Sequence, residues 1–496
     1  VSSEVTQRAQ GAEEQVVTEL LEQAKLAQAE LGTYSQDKID RICKTVSHAA
    51  YDNRVKLAKL AQEETNYGRW QDKVIKNTFA SKDLLAEISE LPTVGQIAVD
   101  EEKKVAEIAV PVGVIAALVP VTNPTSTVIY KTLIALKSGN SIVFSPHPQG
   151  VNCVIATVKI LRQAIASAGG PPNSISVLTK PTLASTSTLM NHDLTKLILA
   201  TGSAGMVKAA YSSGNPAIGV GPGNSPAFIE KSANIALAVE RIIASKTFDN
   251  SLLCSSEQSV IVEESSKVTV IKAFERQGGY FLSSNESQRL RNLLVNEEGH
   301  FNRQVIGQSA LKIAELANIT LPLGTKVLMV EESDVGWEFT FSREKLAPIL
   351  AFYTVSDEEA ASELAFKLLT FQGQGHTMAI HSEQPEVVKK FSLKMPVSRI
   401  IVNAGSALGA VGGTTALMPA MTLGCGAVGG SSSSDNIGPE HLFNRRRVAY
   451  GLVEQGDLMA SETIEEIMEE GPVKELTPEI SEEIINKIVK AVLAKL

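Results

Sequence analysis

Cys254 stands in a setting suited to nucleophilic chemistry. It lies in Lys246-Thr-Phe-Asp-Asn-Ser-Leu-Leu-Cys-Ser-Ser-Glu-Gln-Ser-Val260, between a polar turn and the strand-like run Gln258–Val262. A thiol in that position can attack a carbon centre rather than fill a core. Addition to a carbonyl leaves a negative oxygen, and Val119-Pro-Val-Thr-Asn-Pro124 supplies an amide, Asn123, that can donate to it. Loss of one such donor typically costs about a hundredfold in rate. Taken alone, Asn123 before Pro124 reads as a turn residue; the presence of Cys254 changes that reading. Thr201-Gly202-Ser203 follows the apolar run Lys196–Ala200 and opens a helical stretch, Ala204–Ser212. N–H groups at such a helix start can face a pyrophosphate.

Together these segments resemble the aldehyde dehydrogenase superfamily, most closely its CoA-acylating branch, the acetaldehyde and propionaldehyde dehydrogenases. The resemblance runs from about residue 10 to about residue 455. It implies that Cys254 is the nucleophile and that Asn123, with the Cys254 N–H, stabilises the oxyanion. It also implies that Glu344, in Arg343-Glu-Lys-Leu-Ala-Pro348, holds the nicotinamide ribose, with Pro348 nearby. Ser145-Pro146-His147-Pro148 ends a strand where hydrolytic relatives carry a ribose-binding lysine. NAD is the expected cofactor, with NADP left open.

A departure from the hydrolytic enzymes lies in Gly219-Val-Gly-Pro-Gly-Asn-Ser-Pro226. Hydrolytic relatives place a glutamate there to deprotonate water, and here Val220 takes its place. Water without a base attacks an acyl-enzyme poorly, whereas a thiol is far more acidic and needs less help. The expected acyl acceptor is therefore coenzyme A, and the expected substrate is propionaldehyde or acetaldehyde. Small anionic aldehydes such as sulfoacetaldehyde form a further option. His376, in Gly375-His-Thr377, matches the acylating branch. It stands for proton transfer from CoA, for cofactor positioning, or for a structural histidine. Cys425, in Leu423-Gly-Cys-Gly-Ala-Val-Gly-Gly430, is expected to line the acyl pocket. Arg445-Arg446-Arg447 reads as a phosphate clamp for CoA or as a solvated or interface cluster. Two rival readings are a hydrolytic dehydrogenase giving a free acid and a non-catalytic cargo or scaffold protein.

Composition bounds these readings. A chain of 496 residues has room for two or more domains, and its net charge of −9 argues against broad phosphate-backbone binding. Four cysteines (Cys43, Cys153, Cys254, Cys425), with no CxxC spacing, form neither a disulfide framework nor a zinc site. A reducing cytosol is the expected compartment. No apolar run is long enough for a membrane span, and the polar N-terminus lacks the regions of a secretory signal.

The elements that must position the site follow from periodicity. In 37–53, Ile39, Ile42, Cys43, Val46 and Ala50 mark one helix face, which makes Cys43 core. Segment 95–110 reads as a hairpin with a charged turn. From 111 to 228 short apolar strands alternate with helices, the pattern of a parallel sheet covered on both faces. The fold class is α/β: a Rossmann-type cofactor domain (1–94 with 111–228) and a second α/β catalytic domain (229–430), to which the family resemblance adds oligomerisation elements (95–110 with 431–456) expected to make a homodimer or homotetramer. A tether (457–476) leads to an amphipathic helix (477–496), on which Ile480, Ile484, Ile488, Val492 and Leu496 recur every fourth residue. That helix resembles the encapsulation peptides of bacterial microcompartments; docking on its own subunit is the alternative.

Overall fold

The computed structural model describes residues 2–296, 299 and 301–459; the terminal helix expected at 477–496 lies outside them. The helices Ser2–Leu31, Gln36–Asp52, Arg54–Thr65 and Trp70–Thr78 precede the first strand, the last continuing through a π-helical turn, Phe79–Asp83, into a short helix, Leu84–Ile88. The second begins at Ser35, whose hydroxyl accepts from the Lys38 N–H. It buries Ile39, Ile42, Cys43, Val46 and Ala50 on one face. Burial pushes the Cys43 thiol up to about 12, so that cysteine is core.

Strands β1 (Gly95–Asp100) and β2 (Val105–Pro111) flank the charged turn Glu101–Lys104. Then come β3 (Val114–Val119), β4 (Ser141–Pro146), β5 (Ile175–Val177), β6 (Thr195–Thr201) and β7 (Ala217–Val220). These five form one sheet in the order β5-β4-β3-β6-β7, with parallel pairing throughout. Chain order reverses between β3 and β6, so their carboxyl ends open a crevice. Asn123 follows β3, and Thr201–Ser203 follows β6.

A second parallel sheet contains β8 (Ser225–Ile229), β9 (Glu257–Glu263), β10 (Gly279–Phe281), β11 (Val327–Glu331), β12 (Ile349–Val355), β13 (Gly375–His381) and β14 (Val397–Val402). Its order is β10-β11-β12-β9-β8-β13-β14. Finally β15 (Phe443–Ala449) joins β1 and β2 in a three-stranded sheet of order β1-β2-β15.

The period of two is visible in the packing. Along β3, Ile115, Ala117 and Val119 enter one core with the helices 36–52 and 124–137, while Val114, Ala116 and Leu118 enter another with Val17 and Leu21 of the first helix. Along β9, Ile261 packs with Phe228, Ile349 and Ile380, and Val260 and Val262 pack with Ile229 and Phe352 on the opposite face. Both sheets are thus covered twice, which is why their strands read as nearly continuous apolar runs.

Three expectations need correction. The first sheet ends at β7 and β8 already belongs to the second, so the domain boundary falls at 221–224 rather than after 228. Residues 405–430, expected within the second domain (229–430), contain a short helix, Ser406–Ala410, and bury Ala407, Ala410, Met421 and Leu423 in the core that covers the first sheet. Ile437 and Leu442 join that core too, so only part of 431–456 belongs with the hairpin. The described chain divides into two compact units, one dominated by 107–446 and a small one made of 99–106 with residues from 447 onward. No helix among the described residues is long and apolar enough to cross a membrane.

Phe228 sits fully buried in β8 and stacks on Phe391 at 5.1 Å between ring centroids. Truncation to Ala opens a cavity between β8 and the helix Pro385–Lys394. Phe228→Ala is expected to lose about 3–5 kcal/mol of stability in urea unfolding monitored by fluorescence; a loss below about 1 kcal/mol would mean that the site collapses around the gap.

Candidate active site

A cavity of about 810 Å³ lies at the carboxyl ends of β3 and β6. Its wall includes Asn123, Ser145, Pro146, His147, Thr201, Gly202, Ser203, Val220, Cys254 and Glu344. The sequence-predicted residues therefore converge from six separate segments. Pro348, His376 and Cys425 do not reach this wall. Pro348 is buried at the start of β12, its carbonyl accepting from the Leu328 N–H. Cys425 is buried with its thiol toward the Leu423 carbonyl at 3.6 Å, and Leu423 lines the cavity in its place.

Cys254 is half-buried just before β9. Its Sγ lies 3.1 Å from Nε2 of His376, which stands on β13, and the other ring nitrogen, Nδ1, meets the Thr377 hydroxyl at 3.0 Å. Burial, aided by the Arg399 charge, pushes His376 down to about 3, so the ring is neutral at working pH. Burial, then the charge of Glu344 and the neighbouring Cys425, pushes the Cys254 thiol up to about 12, while Arg399 acts in the opposite direction. The resting pair is a neutral thiol against a neutral imidazole. An imidazole in that state can accept a proton as the thiol attacks.

Close backbone approach fixes this geometry. A Cβ on Gly223 would stand 1.9 Å from the Cys254 carbonyl oxygen, so no larger residue fits there. The Gly223 N–H donates to Glu344 Oε1 at 3.1 Å, and the Asn224 amide donates to the Ser342 carbonyl at 2.9 Å. The segment 221–224 thus ties the cysteine turn to the glutamate loop. Among the described cavity-lining residues Glu344 is the one carboxylate, and burial raises it to about 7. Val220 is an apolar part of the same wall.

Asn123 ends the β3 turn and precedes the helix Pro124–Lys137 without capping it. Its Nδ2 donates to the Thr122 hydroxyl at 3.1 Å and to the Leu252 carbonyl, two residues before Cys254, at 3.3 Å. Its Oδ1 accepts from Lys76 Nζ at 2.6 Å. Lys76 and Lys73, both buried on the helix Trp70–Thr78, also donate to Asp249 Oδ2. Sequence reading missed Lys73, Lys76 and Asp249; only the polar run Lys246–Ser251 before the cysteine hinted at them.

On the cofactor side, Ser203 caps the helix Ala204–Tyr211, its hydroxyl accepting from the Met206 N–H at 3.4 Å. Ser145 and Thr186 share a hydroxyl bond of 2.8 Å, and Thr201 meets Thr422 at 3.1 Å. His147 lies at the end of β4, its pKa lowered by burial and by Arg303, which lines the same cavity. A dinucleotide fits this wall: a capped helix start for phosphate, hydroxyls along two strand ends and a carboxylate close to the thiol.

A doubly wound sheet with a cysteine, an amide and a helix start at its switch point defines a nicotinamide-type dehydrogenase site. Residues 1–278 match the aldehyde dehydrogenase family, and the chain belongs to that family. It is 42% identical over 435 residues to the bifunctional aldehyde-alcohol dehydrogenase of Escherichia coli, covering 87% of this chain and 49% of that protein. The chain thus spans about half the length of such relatives. It is 36% identical to an acetylating succinate-semialdehyde dehydrogenase of Clostridium kluyveri, covering 88% of this chain and 95% of that one. Among solved structures, an acetylating aldehyde dehydrogenase from Geobacillus thermoglucosidasius is 48% identical with a TM-score of 0.89, covering 90% of this chain and 99% of that one. A propionaldehyde dehydrogenase of Rhodopseudomonas palustris with bound propionyl-CoA is 26% identical with a TM-score of 0.80, covering 88% and 94%.

The charge of Glu344 raises the thiol pKa, so its removal should lower that pKa. Because Glu344 ionises at about 7, the effect should appear above pH 7 and fade below it. Iodoacetamide alkylation of Cys254 in Glu344→Gln, followed by mass spectrometry, is expected to run about threefold faster or more at pH 8. Equal rates at pH 8 would show that the carboxylate does not act on the sulfur.

Proposed function

We propose that the chain catalyses CoA-acylating oxidation of a short-chain aldehyde, with propionaldehyde or acetaldehyde as substrate and NAD as hydride acceptor. The observation that carries this reading is the Cys254 thiol in the cavity wall, paired at 3.1 Å with the buried imidazole of His376, together with Val220 in the same wall, where the resemblance to hydrolytic relatives expects a water-activating carboxylate. Cys254 Sγ adds to the aldehyde carbon while His376 Nε2 takes the thiol proton. The oxygen turns toward Asn123 Nδ2, replacing its long bond to the Leu252 carbonyl. NAD, when bound against Ser145–His147, Thr201–Ser203 and Glu344, supplies the acceptor for the hydride. His376 then passes that first proton to solvent; the thiol of CoA attacks the carbon of the resulting thioester, its own proton passes through His376 to the departing Cys254 sulfur, and acyl-CoA leaves. Cys425, buried beside the wall, supports the packing behind the sulfur rather than acyl recognition.

A hydrolytic reading has one group in its favour. Glu344 lines the cavity and is poised near neutrality, where a general base works well. The Gly223 N–H engages one of its oxygens, and the similarity to dehydrogenases named as acetylating supports the acylating reading over this one.

The test is formation of reduced nicotinamide from propionaldehyde and NAD, with and without CoA. Strict dependence on CoA, with propionyl-CoA as product and no turnover by Cys254→Ala, is expected. Equal rates without CoA would assign water as acceptor and Glu344 as its base; NADP in place of NAD decides cofactor preference in the same assay.

We further propose that the chain works as a homodimer or homotetramer and that 477–496, with its four-residue apolar repeat, docks on microcompartment shell proteins. Deletion of 477–496 is expected to leave the specific activity within about twofold, since the segment carries no site residue, and to abolish co-purification with shell proteins. Undiminished co-purification would rule the docking role out.

A further inference from the structure

Lys73, Lys76, Asp72 and Asp249 form a buried cluster of two ammoniums and two carboxylates next to the cavity. On the helix Trp70–Thr78, Asp72 and Lys73 stand four and three residues before Lys76, each within reach of it along the helix surface. Asp249 belongs to the turn that leads into Cys254. Its Oδ1 accepts from the Arg69 N–H at 2.7 Å, its own N–H donates to Asp72 Oδ2 at 2.9 Å, and its Oδ2 accepts from both lysines. Lys73 Nζ also donates to the Thr122 carbonyl at 3.3 Å. Lys76 has a second partner of a different kind, Asn123 Oδ1 at 2.6 Å.

An amide has two unlike ends, and only Nδ2 can donate to an oxyanion. An ammonium has donors alone, so it can face only the amide oxygen. With Oδ1 held by Lys76, a flip of the amide would set N–H groups against N–H groups. Nδ2 therefore stays turned toward Leu252 and the sulfur side of the cavity. The positive charge on Oδ1 also polarises the amide and strengthens Nδ2 as a donor.

We propose that Lys76 is a positioning residue for the reaction: anchored by Asp249, it holds the Asn123 oxygen and so keeps Nδ2 aimed at the aldehyde oxygen. This inference rests on the oxyanion role of Asn123 proposed above. It differs from a purely structural role in predicting that the effect of Lys76 passes through Asn123 alone.

The experiment is a double-mutant cycle on the full chain, with kcat for propionaldehyde and KM for NAD as readouts. Lys76→Met is expected to lower kcat about tenfold or more with KM for NAD held within about twofold. In an Asn123→Ala background the same substitution should change kcat less than about threefold. A full loss that persists in that background overturns the inference and leaves the role of Asn123 standing. An Asn123→Ala variant as fast as the parent overturns the oxyanion reading itself. Thermal unfolding reports whether Lys76→Met folds. Should it fail to fold, Lys76→Met with Asp249→Asn removes one charge of each sign, and the same cycle is run on that pair: loss confined to the Asn123 background supports the proposal, and additive loss overturns it.

Discussion

Asp249 carries the constraint on which the site depends. Asp249, Asn250 and Ser251 all adopt left-handed conformations, with φ of 48°, 52° and 70°, just before the turn that carries Cys254. Three successive non-glycine residues in that region are costly, of order 1–3 kcal/mol each for a strained position, and persist only where the surroundings over-determine them. Here they do. The Asp249 carboxylate is held by two lysines and a backbone N–H, its own N–H is held by Asp72, and the Asn250 amide donates to the Gly307 carbonyl at 2.8 Å. Gly68 leaves the space this needs, since a Cβ there would meet Asp249 Oδ1 at 2.0 Å. One carboxylate thereby couples the helix Trp70–Thr78, the turn after β3 and the turn that presents the thiol.

Such a cluster is a poor source of stability and a good source of geometry. Taking four charges out of water costs several kcal/mol per ion, and their mutual attraction roughly offsets it. Removing one member leaves a buried charge without its partner, at a cost of about 3–5 kcal/mol. The cluster is therefore intolerant of partial loss, a property suited to holding side chains at fixed separations. The balance shows in Lys76, which burial brings down to about 8 despite Asp249. A similar balance operates around the sulfur. Burial and Glu344 keep the thiol protonated, Arg399 draws it the other way, and His376 stays neutral. Reactivity then waits for whatever enters the cavity, because a positive group beside the thiol would shift it toward thiolate.

Much of the framework was legible in the residue pattern, for a physical reason. Strands buried on both faces must be apolar at nearly every position, so β3, β4, β6, β9 and β12 stand out as runs bounded by turns. Strands β8 and β13 were harder. They begin with Ser225-Pro226 and Gly375-His376, residues that signal turns locally. Their strand state comes from neighbours: β8 pairs with β9 and β13, and β13 with β14. Cys254 and Asn123 could be read because the segments around them resemble those of the aldehyde dehydrogenases; alone, Asn123 reads as a turn residue before Pro124. Lys73 and Lys76 could not, since lysines at helical spacing ordinarily mark a solvated face. Their partner Asp249 lies 176 and 173 residues away, a separation that no local pattern encodes.

The identity of the acyl acceptor turns on the same economy of charge. A carboxylate at position 220 would sit in an apolar wall of the cavity, where Val220 now makes only van der Waals contact. Deprotonating water requires such a base to be ionised and close, and a second anion beside Glu344 would raise the thiol pKa further. A site that already holds its sulfur at about 12 has little room for that penalty. A thiol co-substrate eases that demand, since its proton is lost at a pKa about seven units below that of water. The apolar residue at position 220 and the buried thiol are both compatible with the proposed thiol acceptor.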